Sequence, residues 1–140
     1  MQAGVCGEDN AVTPELYYLV WSAALTLVLA VIAVGGAQMQ VGLPRLAGNR
    51  ENMPELTGWA GRAQRAHRNM LESLILFAIL VFAAKAVGVS NAMTLLGAQL
   101  FFWGRVAHAA IYLAGIPWAR TAAWGVSVVG LFLIFWQLVA

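Results

Sequence analysis

RAQRAHRNMLESLILFAILVFAA, the stretch from Arg62 to Ala84, joins two halves of opposite character. Its second half is an apolar run fit for lipid, whereas its first half carries three arginines, a histidine, an asparagine and a glutamate. Ionisable groups inside a membrane are costly, so they normally face the interior of a bundle or a watery cavity. The stretch therefore predicts a membrane helix with a functional polar end.

The composition of the whole chain agrees with a membrane protein. Its 140 residues are 61% hydrophobic and only 10% charged, and the mean hydropathy is +0.76, well above the value for globular proteins. At about 20 residues for each crossing, four candidate spans lie at about residues 14–40, 59–86, 91–114 and 117–139. The short links make successive spans pack side by side. We therefore predict an all-α integral membrane protein, a four-transmembrane-helix up-and-down bundle that forms a single domain over residues 1–140.

Local signals mark the ends of these spans. Thr13 suits an N-cap and Pro14 suits the first helical position. Glu15 favours the positive end of the helix dipole at the same terminus. Gly88 is a suitable stop for the second span.

Other classes of protein fit the sequence poorly. A cleaved signal peptide needs a basic start, but Glu8 and Asp9 precede the first span and no Lys or Arg does. Cys6 is the single cysteine, which excludes an internal disulfide and a cysteine metal cluster. A net charge of +2 spread through membrane helices is not the footprint of a nucleic-acid-binding protein.

The distribution of positive charge indicates the orientation. The first loop carries Arg45 and Arg50, and the arginines of the second span follow closely. The positive-inside rule therefore places this loop in the cytoplasm and both termini outside. Compact loops fit a bacterial inner membrane, although an endoplasmic-reticulum or outer mitochondrial membrane would satisfy the same physics. In this orientation the polar groups share the cytoplasmic leaflet, and the opposite leaflet has almost nothing ionisable except Lys85.

Helical periodicity gathers the polar residues into stripes. At about 100° per residue, one stripe of the second span contains Arg65, Arg68, Asn69 and Glu72. Spacings of three and four place a second set on one face of the third span, namely Arg105, His108 and Tyr112. The fourth span begins near Arg120 and Thr121, whereas His67 points away from the stripe on its own helix.

Several arginines against one glutamate predict a positive cavity. Guanidinium groups bind carboxylates bidentately, so the natural guest is an anion with more than one carboxylate or phosphate. Glu72 could hold an ammonium group of the same guest or simply neutralise Arg68. Glutathione offers two carboxylates and an ammonium, although other peptides and conjugates would fit equally well. At the start of the fourth span, the helix dipole and Arg120 would favour the ionised form of a thiol, and a lipophilic electrophile would arrive through the bilayer.

The two motifs RAQRAHRNMLE and RVAHAAIYLAGIPWART resemble the membrane-associated proteins in eicosanoid and glutathione metabolism, the MAPEG family. This family includes microsomal glutathione transferases and prostaglandin E synthase, and the resemblance covers roughly residues 38–140. It implies a homotrimer that binds glutathione between subunits on the cytoplasmic side. It also implies that Arg120 activates the glutathione thiol, with Thr121 where some members have a serine. The residues it matches to glutathione ligands or to their immediate neighbours are Arg65, Arg68, Asn69, Glu72, Arg105, His108, Tyr112 and Trp124.

The chain departs from the family pattern at some positions. Gln38 and Gln40 stand near the end of the first span, where some members carry a glutathione-binding arginine. Met70 follows Asn69, where several enzymes have an aspartate. These departures bear on the substrate and on activity, and they leave the predicted fold unchanged.

Other readings of the polar residues stay open. The arginines of the second span could be anchors that set topology, and Arg105 with His108 could form an intersubunit network with Glu72. The chain could then be a non-catalytic binding or assembly subunit, or a small proton-coupled transporter that uses Glu72. Trp124 could be an interface anchor. Two histidines without surrounding carboxylates make a poor metal or haem site, so we predict no metal.

Overall fold

A computed structural model describes residues 12–140, and this part of the chain contains helices and no strand. The elements are α1 (Pro14–Val41), α2 (Leu43–Ala47), α3 (Gly58–Ala86), α4 (Ala92–Ala114) and α5 (Pro117–Val139). The bounds of the four long helices lie within one residue of those expected from the sequence. The short α2 in the first loop was not anticipated. Cys6, Glu8 and Asp9 lie outside the described residues.

Three helices of the described chain, α1, α3 and α5, are long and apolar enough to cross a membrane by length and composition. The all-helical prediction is confirmed, and the chain is an integral membrane protein. The 23-residue α4 is absent from this group although it is as long as α5. Its sequence includes Gln99, Arg105 and His108 among the apolar residues. The four-span bundle therefore stays a prediction for α4.

The sequence signals act at the helix ends in different ways. Thr13 does occupy the N-cap of α1 with Pro14 behind it, but its side chain makes no capping hydrogen bond. Gly88 follows the end of α3 with a φ of +73°, a conformation that favours glycine. The start of α4 is fixed more strongly, because Asn91 and Thr94 form a reciprocal capping box.

Small residues bring α4 and α5 into close contact along a line that we call the α4–α5 seam, formed by Gly97, Gly104, Ser127 and Gly130. A Cβ added at Gly97 would lie 2.7 Å from the carbonyl oxygen of Gly130. A Cβ at Gly104 would lie 2.9 Å from the backbone nitrogen of Ser127. Such close approach of backbones is typical of helix pairs in membranes. The seam fixes how the start of α5 sits against the end of α4.

Two further contacts organise the polar end of the bundle. Arg62 Nε donates to the carbonyl oxygen of Leu113 at 3.1 Å, which ties the start of α3 to the end of α4. The Gln40 side chain donates to the carbonyl oxygen of Thr57 at 2.9 Å and accepts from its backbone N–H at 3.0 Å. Gln40 therefore holds the residue that precedes α3, and it is committed to the backbone of the first loop.

The opposite end of the helices contains a buried carboxylate, Glu15, whose burial was not predicted from the sequence. Glu15 is 2% exposed, and its carboxylate accepts hydrogen bonds from Thr94 Oγ1 at 2.6 Å and from Ser90 Oγ at 3.0 and 3.1 Å. Asn91 Nδ2 donates to Gln137 Oε1 at 2.9 Å beside it. We call these five residues the distal polar cluster. The expectation that this end holds almost nothing ionisable except Lys85 was wrong, because Glu15 is buried there as well. The hydroxyls that satisfy it come from residues 75 and 79 positions away.

Candidate functional site

The candidate site is an open cavity of about 230 Å³ where α3, α4 and α5 meet. It lies at the end of the bundle that holds the short link between α4 and α5. Each of its lining residues was among those expected from the sequence. They are Asn69, His108, Tyr112, Arg120, Thr121 and Trp124.

Tyr112 lies at the centre of the aromatic and cationic groups in this cavity. Its ring meets that of His108 edge-on, with centroids 5.3 Å apart. The guanidinium carbon of Arg120 lies 4.6 Å from the centroid of the Tyr112 ring, a cation–π distance. The stacking holds Arg120 at the cavity while leaving its N–H donors available to a ligand.

The start of α5 contributes backbone donors to the same region. Pro117 is the first helical residue, and the N-cap residue Ile116 provides no side-chain hydrogen bond to the first-turn amides. Thr121 Oγ1 donates to the Pro117 carbonyl at 3.4 Å, a long bond that a ligand acceptor would replace easily. Since none of the residues that line the cavity is acidic, the positive helix terminus and Arg120 favour an anion.

Three predicted residues of the α3 stripe do not line this cavity. Arg68 Nε and Glu72 Oε1 are 3.5 Å apart as an i, i+4 ion pair, and their side chains are 82% and 65% exposed. Arg65 is also exposed. Only Asn69 from that stripe reaches the cavity, because α4 and α5 approach α3 on one side and leave these three on the open side of the bundle.

Arg105 also lies outside the lining, for a different reason. It is 1% exposed, and its Nη1 donates to Asn69 Oδ1 at 2.6 Å. Its Nη2 donates to Ser73 Oγ. Arg105 therefore lies behind the cavity and holds a residue that lines it. Ser73 was not among the predicted site residues, although it follows Asn69 by four residues and so falls on the same stripe.

His67 lines a separate cavity of about 260 Å³ between α1, α3 and the first loop. Small residues of α1, among them Ala33 and Ala37, form one wall, and Arg50 lies on the loop side. His67 thus points away from the Asn69 side of α3, as its position on the helix predicted. His67 and His108 therefore line different cavities.

Comparison with known proteins identifies the family of the chain. No curated protein matches it. The model of one family, the MAPEG family, matches residues 16–140, nearly the whole length. This match includes α2 to α5 entirely and all but the first two residues of α1, so every residue of the candidate site lies inside it. The resemblance carried by the two polar motifs is confirmed, and the chain belongs to the MAPEG family.

Proposed function

We propose that the protein is a glutathione-dependent transferase or peroxidase that acts on a lipophilic electrophile or a lipid hydroperoxide. The observation that carries the proposal is the cavity at the start of α5, where Arg120, His108 and Tyr112 converge with no acidic residue in the lining. Membership of the MAPEG family suggests glutathione-related transferase or eicosanoid chemistry. A positive charge and hydrogen-bond donors at the cavity would stabilise a thiolate.

The donor set fits the chemistry of glutathione. Its two carboxylates need N–H or O–H donors, which Asn69 and Arg120 provide in and around the cavity. Its ammonium group needs an acceptor, and Glu72 on the neighbouring exposed face of α3 is the nearest candidate by position on the helix. Arg65 and Arg68 on that face would bind a carboxylate that extends beyond the cavity. Trp124 would cover one side of the tripeptide.

Bound glutathione would supply a thiol, which reacts as the thiolate. In the proposed reaction Arg120 stabilises the negative charge on sulfur, and the first-turn amides of α5 add the field of the helix dipole. The Tyr112 and Thr121 hydroxyls would donate to the same atom. A cation and a helix N-terminus are the groups known to lower the pKa of a thiol. The apolar partner would reach the sulfur from lipid, since the α5 face beyond the cavity exposes apolar residues such as Val129 and Phe132.

The first experiment measures glutathione binding to the detergent-solubilised protein by calorimetry, with ultraviolet difference spectra of the thiolate band on the same sample. Wild type should bind and show the band, and Arg120→Ala should lose the band. Arg45→Ala removes the same charge from the exposed α2, outside the cavity, and should behave as wild type. Absence of binding at millimolar glutathione would sink the proposal. Binding without a thiolate band in wild type would indicate a binding or assembly subunit.

We further propose a homotrimer, in which the exposed side of α3 faces a neighbouring subunit. The pair Arg68–Glu72 and the side chain of Arg65 would then line an intersubunit site. Native mass spectrometry of the solubilised protein should give three chains per particle, and Glu72→Gln should lower glutathione affinity without dissociating them. A monomer that binds glutathione with full affinity would contradict the shared site.

We propose that the protein resides in a bacterial inner membrane with the first loop in the cytoplasm and both termini outside. A cysteine introduced at Asn49, in a Cys6→Ser background, reports the side of the first loop. It should react with a membrane-impermeant maleimide only in inverted vesicles. Labelling in right-side-out vesicles would reverse the orientation.

A further inference from the structure

The side chain of Arg105 is enclosed by its neighbours and has almost no exposed surface for a ligand. Its side chain is 1% exposed, and both terminal nitrogens are already used. Nη1 donates to Asn69 Oδ1 at 2.6 Å, and Nη2 donates to Ser73 Oγ. Within residues 12–140 its Nε has no hydrogen-bond partner.

The chemistry of arginine decides which way the Asn69 amide points. A guanidinium has donors only, so the Asn69 atom that faces Arg105 must be the carbonyl oxygen. Ser73 Oγ accepts from Arg105 and donates to the backbone carbonyl of Asn69 at 2.9 Å. Both carbonyl groups of Asn69 are therefore held from behind. The amide nitrogen of Asn69 is left free, since no hydrogen bond involves it in the described part of the chain.

We propose that Arg105 and Ser73 are positioning residues that fix Asn69 as a hydrogen-bond donor toward the cavity. A donor at this point selects a carboxylate oxygen of the ligand and rejects its ammonium group. The inference rests on the proposed function for the identity of the ligand, glutathione. It assigns Arg105, which the resemblance groups with the glutathione ligands and their immediate neighbours, a place behind the ligand.

Asn69→Asp tests the amide nitrogen of Asn69 while keeping an oxygen for Arg105. The aspartate still offers an oxygen to Arg105 and adds a charge opposite the buried guanidinium, so its melting temperature should equal or exceed that of wild type. It places a second carboxylate oxygen at the cavity where the amide donors were. Loss of one hydrogen bond, about 0.5–1.5 kcal/mol, corresponds to roughly two- to tenfold in affinity, and repulsion should carry the loss for glutathione beyond tenfold. Affinity equal to wild type would overturn the donor role.

Ligand analogues give a readout that a merely structural effect would not move. Glutathione esterified at one carboxylate should bind wild type more weakly than glutathione does. For the carboxylate that Asn69 contacts, Asn69→Asp should erase or reverse this preference. If Asn69→Asp keeps the wild-type preference against both monoesters, Asn69 contacts neither carboxylate, and the proposal is contradicted.

Ser73 is tested by removal and rescue. Ser73→Ala withdraws the acceptor of Arg105 Nη2, so the dissociation constant for glutathione should rise roughly three- to tenfold. Ser73→Thr keeps the hydroxyl and should restore the wild-type dissociation constant. Ser22→Ala is the matched control, because Ser22 is a buried serine whose hydroxyl donates to the carbonyl four residues before it. An effect of Ser22→Ala as large as that of Ser73→Ala would reduce the latter to general destabilisation and refute the positioning role.

Failure of the proposed function can be told apart from failure of this inference. If wild type binds no glutathione, the proposed function is wrong. The melting temperatures of the ligand-free variants still test whether Arg105 holds Asn69. Asn69→Asp should then be at least as stable as wild type, and Asn69→Leu, which leaves Arg105 without its acceptor, should be clearly less stable. An aspartate variant less stable than the leucine variant would show that Arg105 does not hold the Asn69 oxygen.

Discussion

Replacing Glu15 by alanine tests whether the distal polar cluster holds the bundle together. Glu15 joins α1 to the segment between α3 and α4 through the Ser90 hydroxyl, and to the first turn of α4 through the Thr94 hydroxyl. A hydrogen bond to a charged group contributes about 1.5–3 kcal/mol. Thr94 is fully buried and should contribute within that range, whereas Ser90 is exposed and can exchange its partner for water. The expected loss in the free energy of unfolding is therefore about 2–4 kcal/mol.

The assay is reversible unfolding in mixed detergent micelles, followed by far-ultraviolet circular dichroism. Glu55→Ala is the control, since Glu55 is exposed in the first loop and should change stability by less than about 0.5 kcal/mol. Glutathione affinity should be unchanged in Glu15→Ala, because the candidate site lies at the other end of the bundle. A fall in affinity with intact folding would mean that the two ends are coupled.

A double-mutant cycle isolates the shortest contact of the cluster. Thr94→Val removes the hydroxyl and keeps the shape, and it also disturbs the capping box of α4. The cycle subtracts that second effect, and its coupling energy with Glu15→Ala should reach at least about 1 kcal/mol. Losses that add within about 0.3–0.5 kcal/mol would refute the reasoning, because they would show that Glu15 and Thr94 do not interact.

Three more changes test the seam, the cavity and the first loop. Gly97→Ala forces a Cβ to within 2.7 Å of a backbone oxygen of α5 and should cost about 1–3 kcal/mol in the unfolding assay, whereas Gly125→Ala meets open space and should be neutral or slightly stabilising. Trp124→Ala should weaken glutathione binding measured by calorimetry, and Trp136→Ala, an exposed tryptophan outside the cavity, should not; equal losses would assign both to lipid anchoring. Gln40→Ala removes two hydrogen bonds to the residue before α3 and should speed proteolysis of the first loop severalfold, and an unchanged cleavage rate would show that the loop is held elsewhere.

The positions of the long helices followed from local signals. Apolar runs set their lengths, and residues such as Pro14, Asn91 and Gly115 mark their ends because each has a backbone or capping preference that acts within one turn. The short α2 was missed since five residues carry too little periodicity to stand out. The helical stripes were predictable for the same reason, as the angle per residue depends on the helix alone.

Which side of a stripe faces the protein was not predictable from one helix. Asn69 reaches the cavity and Arg68, its neighbour in sequence, is exposed, although both belong to the predicted stripe. The difference arises from where α4 and α5 pack, which depends on the glycines of the seam. The burial of Arg105 and Glu15 was missed because their partners are 32 to 79 positions away.

The α4–α5 seam also has a consequence for how the chain is made. Of the four long helices, α4 alone falls short of the hydropathy of a membrane span, and an arginine near the centre of a span costs about 2.5–3.5 kcal/mol during insertion. A translocon that tested α4 by itself would tend to leave it at the membrane surface. The two-residue link at Gly115 and Ile116 delivers α5 immediately afterwards, so the glycines of the seam would let the two helices pair before insertion, as the predicted four-span bundle requires. The polar residues of α4 that are costly to insert would then enter the membrane already packed against α5.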